Sequence, residues 1–404
     1  MLRALVLSGS VFCAVMLASG AARADEAPDA KRSFGVEAVW KPGLVLVGGE
    51  GRFALKPIGI AQPLLSLRVE PGADDELAGT GFRLRRGAIG FDARLFDLAR
   101  VFFCGNVGRG RFELWDYFVD LDPWDGVAVL RAGRFRPWLG RQRWVAAHKF
   151  QMVELARGMT GVLEMGDGRD LGVGLTGLVA DSFEYGVGAW NGSWYDLTLG
   201  GGRSEAGTAY PAGSGLEVGG RLAWHPLEPL PLGEEGDYSG SGEPRLAVAA
   251  AAMVNPRHDR FIQLDAYDQE VRYEDRHLKL GGEVAFQWRG LSAVAEVFAA
   301  RAFLPDDVAP EIEEAFDDAG RGDFGIGTYA QMGYFVLPRR LEVVGRFDFF
   351  DPSTRLRGAY HHPAAGLTYF FHGYLLRAQL TYRANLDAGF QSGDPGDAPV
   401  SHDV

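Results

Sequence analysis

Apolar and polar residues alternate along this chain with a period of two, in one segment after another. In the segment RLEVVGRFDFF, the apolar Val343 and Phe347 alternate with the charged Glu342 and Arg346. Successive side chains of a β-strand point to opposite faces of its sheet, so this pattern indicates a strand with one apolar and one polar face. The chain is therefore expected to be built from amphipathic strands.

The same alternation predicts strands throughout the chain, and a first strand is expected near 34–47. The other predicted strands are 52–69, 81–94, 97–106, 112–122, 126–134, 170–180, 183–190, 217–225, 244–254, 277–289, 291–302, 324–336, 340–350, 358–371 and 373–383. With boundaries uncertain by a few residues, the total is about 16 strands.

Two architectures suit many strands with one apolar face. A soluble sandwich packs its apolar faces against each other, whereas a transmembrane barrel turns them to lipid and keeps the polar faces around a lumen. Several predicted strands run to about 10–13 residues, longer than the usual 5–6. Aromatic residues near strand ends, such as Trp288, Tyr334, Tyr374 and Tyr382, suit an interfacial belt. We therefore predict an all-β fold, a transmembrane antiparallel β-barrel of about 16 strands.

The N-terminus has the features of a cleaved signal peptide over residues 1–24. Arg3 precedes an apolar run, and the small-x-small triplet Ala22-Arg23-Ala24 ends the segment before acidic residues. Such a peptide predicts export. We then expect an N-terminal segment with the first strand in 25–50, the barrel in 51–390 and a disordered acidic tail in 391–404.

Composition and motifs exclude several function classes. The formal net charge of −12 argues against nucleic acid as a partner. Beyond the signal peptide Cys104 is the only cysteine, so no internal disulfide is expected. The chain has no GxSxG, HExxH, Walker or CxxC motif. We expect no enzyme activity, no catalytic residue, no cofactor and no metal site.

One stretch is strongly basic despite the acidic total. LRAGRFRPWLGRQRW, residues 130–144, contains five arginines and opens a long connection over 135–168. A connection of this length is expected to fold into the lumen and narrow it, and arginine or lysine rings select anions in pores. The predicted anion-guiding residues are Arg83, Arg85, Arg131, Arg134, Arg136, Arg141, Arg143 and Lys149.

Alternatives to this role stay open. The arginines instead pair with lumenal acids and brace the wall, or they are exposed loop charge. The candidate acids are Asp116, Asp120, Asp122, Glu154 and Asp170. Within 82–96 the apolar residues change from even to odd positions. Either the strand has a bulge near Arg86-Gly87, or 81–86 is a loop and the strand begins at Gly87.

An ordered set of motifs resembles the phosphate-selective porin O and P family. The motifs are GFRLRRGAIGFDARLF (81–96), LRAGRFRPWLGRQR (130–143), FQMVELA (150–156), GRDLGVGLTG (168–177), YGVGAWNG (185–192), YAQMGYFVLPRRLEVVGRFDFFDP (329–352) and AAGLTYFFHGYLLRAQLTYR (364–383). The resemblance implies a homotrimeric barrel of about 16 strands in the lipid of the bacterial outer membrane. It also implies passive diffusion of small anions such as phosphate or polyphosphate.

Two other functions stay open on the same barrel. Known family members carry lysine clusters in the pore, whereas this chain has five lysines and a negative net charge. These features favour a general or sugar-permeable porin with weak ion selectivity. The remaining alternative is a non-conducting structural or adhesive surface barrel, whose loops rather than its lumen would carry the function.

Overall fold

The computed structural model describes residues 4–10, 37–40, 43–69, 77–108, 112–163, 168–192, 197–199, 215–264, 269–303, 324–351 and 359–387. The strands are β1 (Ala4–Ser10), β2 (Glu37–Trp40), β3 (Leu44–Gly48), β4 (Phe53–Val69), β5 (Leu77–Leu95), β6 (Ala99–Asn106), β7 (Phe112–Leu121), β8 (Val129–Phe135), β9 (Asp170–Val179), β10 (Phe183–Trp190), β11 (Leu197–Leu199), β12 (Glu217–Trp224), β13 (Arg245–Leu264), β14 (Gln269–Trp288), β15 (Leu291–Phe303), β16 (Phe324–Leu337), β17 (Leu341–Asp351), β18 (Tyr360–His372) and β19 (Leu376–Asp387). In the described part of the chain, one α-helix, α1 (Arg157–Leu163), and three short 3-10 helices, Gly49–Gly51, Arg141–Arg143 and Ala147–Lys149, lie between them.

The strands form one antiparallel sheet that closes on itself. From β4 to β10 each strand pairs with the next, β10 pairs with β12, and the succession continues to β19. Strand β1 closes the ring because it pairs with both β19 and β4. The short β2 and β3 form a hairpin on the beginning of β4. The closed sheet confirms the predicted all-β antiparallel barrel.

Both ends of the chain bear on the predicted boundaries. Strand β1 lies inside the predicted signal peptide 1–24, most of which falls outside the described residues. Cleavage of that peptide stays a prediction. The predicted tail 391–404 also lies outside the described residues, and the last described strand ends at Asp387.

Short turns join the strands at one end of the barrel. These turns contain residues with positive φ, among them Asp97 at 55°, Asp181 at 49°, Arg289 at 49° and Arg339 at 59°. Positive φ is what the tight hairpin turns of twisted antiparallel strands require. The connection after β8, described over 136–163 and 168–169, leaves from the opposite end, which we call the long-loop end. No helix in the described part of the chain is long and apolar enough to cross a membrane.

The predicted alternation is seen in the burial of the strand faces. On β16, Met332 and Tyr334 are exposed on the outside, whereas Tyr329 and Gln331 are buried inside. On the outer face near the short turns, large aromatic side chains are exposed and form a belt. They are Trp124, Phe183, Trp224, Trp288, Tyr334 and Phe371. Such a belt is typical of a membrane interface.

Tyr374 does not belong to this belt, so that expectation was wrong. Its ring packs against Phe370 and Tyr238, and the Lys149 ammonium lies 5.5 Å from the ring centroid. Tyr374 follows Gly373, whose φ is 55°. The turn therefore interrupts the strand alternation from which the outward position was predicted.

Candidate functional site: the barrel lumen

The connection after β8 folds into the lumen, which confirms the predicted inward-folding loop. We call residues 136–163 the inward loop. Its Trp138, Leu139 and Met159 are at most 1% exposed and pack in one apolar cluster with the wall residues Phe298 and Tyr329. Phe298 lies on β15 and Tyr329 on β16, across the barrel from β8, so the loop crosses the interior.

Wall glycines leave the space that the loop occupies. A Cβ at Gly174 would lie 2.1 Å from the Trp138 ring, and one at Gly186 would lie 2.8 Å from it. A Cβ at Gly366 would lie 2.9 Å from the sulfur of Met152. Contacts this short exclude any larger residue without a shift of the loop. Gly174 of GLTG and Gly186 of YGVG therefore form part of a slot for the Trp138 indole.

Hydrogen bonds hold the middle of the loop to the opposite wall. The Gln151 amide nitrogen donates to Glu342 at 2.6 Å and to Ser292 at 2.8 Å. Gln379 donates to the Gln151 carbonyl at 2.6 Å, and Arg346 donates to the Glu154 carbonyl at 2.9 Å. The loop is thus connected to β15, β17 and β19.

A second segment, 225–244, enters from the short-turn end and meets the loop. Lys149 pairs with Glu234 at 2.8 Å, and the Gln151 backbone N–H donates to Glu235 at 2.7 Å. Burial raises the pKa of the Glu235 carboxyl, although several hydrogen-bond donors oppose that rise. Burial likewise lowers the pKa of His148 to about 3, aided by nearby positive charges, so its imidazole is neutral at pH 7.

Arg85 and Arg86 both face the lumen because β5 carries a bulge. Gln62 pairs with Arg86 while the next residue, Pro63, pairs with Leu84, so Arg85 is the extra residue. The predicted bulge is therefore present, and its extra residue lies one position before the expected Arg86-Gly87. Arg85 binds Glu154 through two bonds of 2.6 and 2.7 Å, and Arg86 donates to Gln62 at 2.9 Å.

The charge of Arg85 controls the ionisation of Glu154. Enclosure of Glu154 in the lumen favours its neutral form. The hydrogen bonds and the charge of Arg85, with the further charge of Arg86, outweigh this effect and lower the pKa of Glu154 to about 2. The carboxylate is therefore charged at neutral pH and fixes one guanidinium in place.

Arg131 and Arg134 contact the wall rather than open space. Arg131 forms two hydrogen bonds to Asp120, at 2.6 and 2.8 Å, and lies 3.9 Å from the Phe118 ring centroid. Arg134 is 1% exposed and donates to three backbone carbonyls, among them Trp115 at 3.1 Å. These contacts suit the alternative in which arginines brace the barrel wall.

The basic residues of the loop itself are also engaged. Arg141 pairs with Glu283 at 3.2 Å, and its backbone N–H donates to Glu296 at 2.8 Å. Arg136 donates to the Arg143 carbonyl at 2.9 Å, and Arg143 donates to the Gly168 carbonyl at 3.2 Å. Arg141 and Arg143 are buried, so neither lines an open surface.

The predicted residues do not form one ring. Arg83 is exposed and stands apart from the others. Arg131 and Arg141 pair with carboxylates on two different wall strands, and Arg85 pairs with Glu154 of the inward loop. The predicted set is therefore distributed along the lumen, and its anion-guiding role stays a proposal.

A different basic group lies near the long-loop end, where the start of α1 packs beside β17. It consists of Arg157 at the start of α1, Arg346 on β17 and Arg383 on β19. Glu154 and Asp348 are the carboxylates within electrostatic reach of Arg383. The sequence alone did not assign these residues to a site, because three separate elements supply them. Their one signal was the inward parity of Arg346 and Arg383.

No group of three or more His, Cys, Asp or Glu side chains in the described ranges is placed to hold a metal ion. His361 and His362 illustrate the reason. His362 is 6% exposed and faces inward, whereas His361 packs against the ring of Phe349 with centroids 5.2 Å apart. Adjacent strand residues point to opposite faces, so these two rings cannot share a metal ion.

Comparison with known structures identifies the architecture. The in-vitro folded OmpT, an outer membrane protein of Vibrio cholerae, superposes with a TM-score of 0.50 and 8% identity over 83% of this chain and 98% of OmpT. The loop L8 deletion mutant of the same OmpT superposes with a TM-score of 0.50 and 9% identity, over 83% of this chain and 99% of the mutant. The chain has the fold of an outer-membrane β-barrel.

The comparisons identify neither a family nor an ion selectivity for this chain. An anion-selective porin from Comamonas acidovorans gives a TM-score of 0.42 and 11% identity over 82% of this chain and 98% of that porin, too low to bear on selectivity. No family model matches the chain, and no curated protein sequence matches it. The resemblance to the phosphate-selective porin O and P family stays a prediction.

Proposed function

We propose that the protein is a passive outer-membrane channel for small anions, with phosphate and polyphosphate as the members that the family resemblance implies. The outer faces of the strands are apolar and the inner faces carry charged side chains, as a water-filled lumen requires. The proposal includes a homotrimer, exported by a cleaved signal peptide.

One observation carries the preference for anions. Elsewhere in the described lumen, several arginines pair with carboxylates, as Arg131 does with Asp120 and Arg169 with Asp116, and Arg134 donates to backbone carbonyls. The Arg346 charge is likewise matched by Asp348 at 2.9 Å. Among the described residues, Arg157 and Arg383 form no such pair. This end of the lumen therefore has an excess of positive charge.

A local excess decides selectivity despite the acidic total. Exposed charges further apart than about 8–10 Å are largely screened at physiological salt. An ion that passes through the long-loop end of the lumen therefore responds to Arg157 and Arg383 more than to acids in distant loops. Positive lining groups favour anions over cations in such a passage.

Planar bilayers with a KCl gradient test this proposal. The wild-type protein is expected to give a reversal potential that shows chloride preference. The double variant Arg157→Gln/Arg383→Gln should lose most of that preference, whereas Arg289→Gln, on an exposed short turn, should keep it. Cation preference in the wild-type protein, or an unchanged reversal potential in the double variant, would contradict the proposal.

A non-conducting barrel is a second candidate, which one observation favours. The inward loop is packed as tightly as a protein core, with Leu139, Ala156 and Met159 all 0% exposed. If this packing closes the whole cross-section, then the purified protein inserts into bilayers without conductance steps. The same recordings therefore separate the two candidates.

A further inference from the structure

Several buried polar atoms at the long-loop end of β17–β19 have no hydrogen-bond partner among the described residues. They are Arg383 Nε, both ring nitrogens of His362, Asp348 Oδ1 and Asn385 Oδ1. Buried polar groups are nearly always hydrogen bonded, and leaving one unsatisfied costs about 1–3 kcal/mol. Such a concentration on adjacent strands therefore points to something that binds there.

The strand register brings these groups together. Asp348 lies directly opposite His362, and Arg346 lies opposite Ala364 across β17 and β18. Ala364 in turn lies opposite Arg383 on β19. The groups therefore occupy two consecutive inward positions on three adjacent strands. Neighbouring strands are about 4.8 Å apart, so these side chains lie close together.

The charge of this group suits a monoanion. Arg346 is neutralised by Asp348, while Arg157 and Arg383 act on each other across the site without a carboxylate of their own among the described residues. The carboxylate of Asp348 lies beside these guanidinium groups and disfavours a second negative charge on a bound anion. A guanidinium group offers paired N–H donors that match the two oxygens of a planar carboxylate.

Aromatic rings border the same group. The rings of Phe350 and Tyr360 stack across β17 and β18 with centroids 4.6 Å apart. The His362 ring meets the Phe350 ring edge to face at 5.8 Å. Phe350 and Tyr360 are half-buried, so apolar ring surface remains in contact with the lumen.

We propose that Arg157, His362 and Arg383 bind the carboxylate of a small organic acid, with the Phe350–Tyr360 pair contacting its apolar body. The carboxylate accepts hydrogen bonds from Arg383 Nε, from the Arg157 guanidinium and from one imidazole N–H. This inference rests on the proposed channel function, because the lumen must admit the acid. It adds a discrete binding site to a passage that selects by charge alone.

The site can be tested independently of conduction by calorimetry. Benzoate is titrated into the folded full chain in a phosphate-free buffer that contains detergent. The wild-type protein should bind one benzoate saturably, and more tightly than acetate or inorganic phosphate. Arg383→Gln and Arg157→Gln should each weaken benzoate about tenfold, the effect of one lost charge-assisted hydrogen bond. His362→Phe keeps the ring and removes its donors, and should weaken benzoate several-fold.

His361→Phe is the matched control, since this neighbour faces away from the lumen. It should bind benzoate like the wild-type protein. Absence of saturable benzoate binding, tighter phosphate than benzoate binding, or equal loss in His361→Phe and His362→Phe would overturn the site. Benzoate binding without anion-selective conductance would contradict the channel proposal alone, and anion selectivity without benzoate binding would contradict the site alone.

Discussion

The side-chain amide of Gln151 donates a 2.6 Å hydrogen bond to Glu342, a residue 191 positions later on the opposite wall of the barrel. Gln151 also donates to Ser292 and accepts from Gln331 at 2.8 Å. A single loop side chain therefore connects to three strands. This connection fixes the height at which the inward loop crosses the lumen.

Replacing Gln151 by alanine should loosen the loop. Buried Glu342 and Gln331 would each lose a partner, at a cost of about 1–3 kcal/mol per unsatisfied group. We expect a lower midpoint in thermal unfolding in detergent and faster proteolysis within the loop. Thr160→Ala is the control, because its hydroxyl makes only a 3.3 Å bond to the carbonyl of Ala156, just before its own helix. Equal behaviour of the two variants would show that the Gln151 network does not hold the loop.

The Arg85–Glu154 pair predicts a dependence on pH. The pKa of Glu154 falls from an ordinary value near 4.5 to about 2 on folding. Its stabilising effect is therefore complete above about pH 4.5 and is lost as the pH falls towards 2. The difference in unfolding midpoint between the wild-type protein and Glu154→Gln should shrink over this range. Glu243→Gln, at an exposed position, should show no such trend.

Trp138 should contribute strongly to the packing of the loop. Its ring is 1% exposed and stacks on Trp144 with centroids 5.9 Å apart. Trp138→Ala removes the ring from the slot beside Gly174, and truncation of a buried aromatic residue costs about 3–5 kcal/mol. Trp124→Ala, in the exposed belt, should cost far less. In bilayers we expect larger or noisier conductance for Trp138→Ala, and an unchanged trace would show that the loop does not limit the passage.

Processing of the N-terminus is a separate prediction. Intact mass measurement of the protein from outer membranes should give a chain that begins at Asp25. Strand β1 would then be absent from the mature barrel, and its edge positions on β4 and β19 would need another partner. A mass that includes residues 4–10 would instead show that β1 is retained in the mature protein and would contradict cleavage.

Strand positions and faces were predictable from the sequence, but the contacts of the lumen were not. Alternation alone placed Glu342 and Arg346 inside and Val343 and Phe347 outside, because side-chain direction along a strand depends only on parity. Parity fails where a turn interrupts the strand, and Tyr374 was misplaced for that reason.

The basic group at the long-loop end was not predictable from local sequence. The density of arginines in 130–144 drew attention to residues that fold into contact with carboxylates and carbonyls. Arg157 and Arg383, which have no carboxylate partner among the described residues, lie 226 positions apart and meet only because the loop crosses to β19. Local composition cannot reveal a group that three distant elements assemble.

The most direct test of the account is where the apolar strand faces point. A nitroxide label at Val297, in the middle of β15 and 48% exposed, can be measured in liposomes in a Cys104→Ser background. Label at Leu380 on β19 provides a second position. A lipid-facing barrel predicts high accessibility to oxygen and low accessibility to a water-soluble nickel chelate at both positions. High nickel accessibility, or low accessibility to both reagents at both positions, would contradict a lipid-facing barrel and with it the channel.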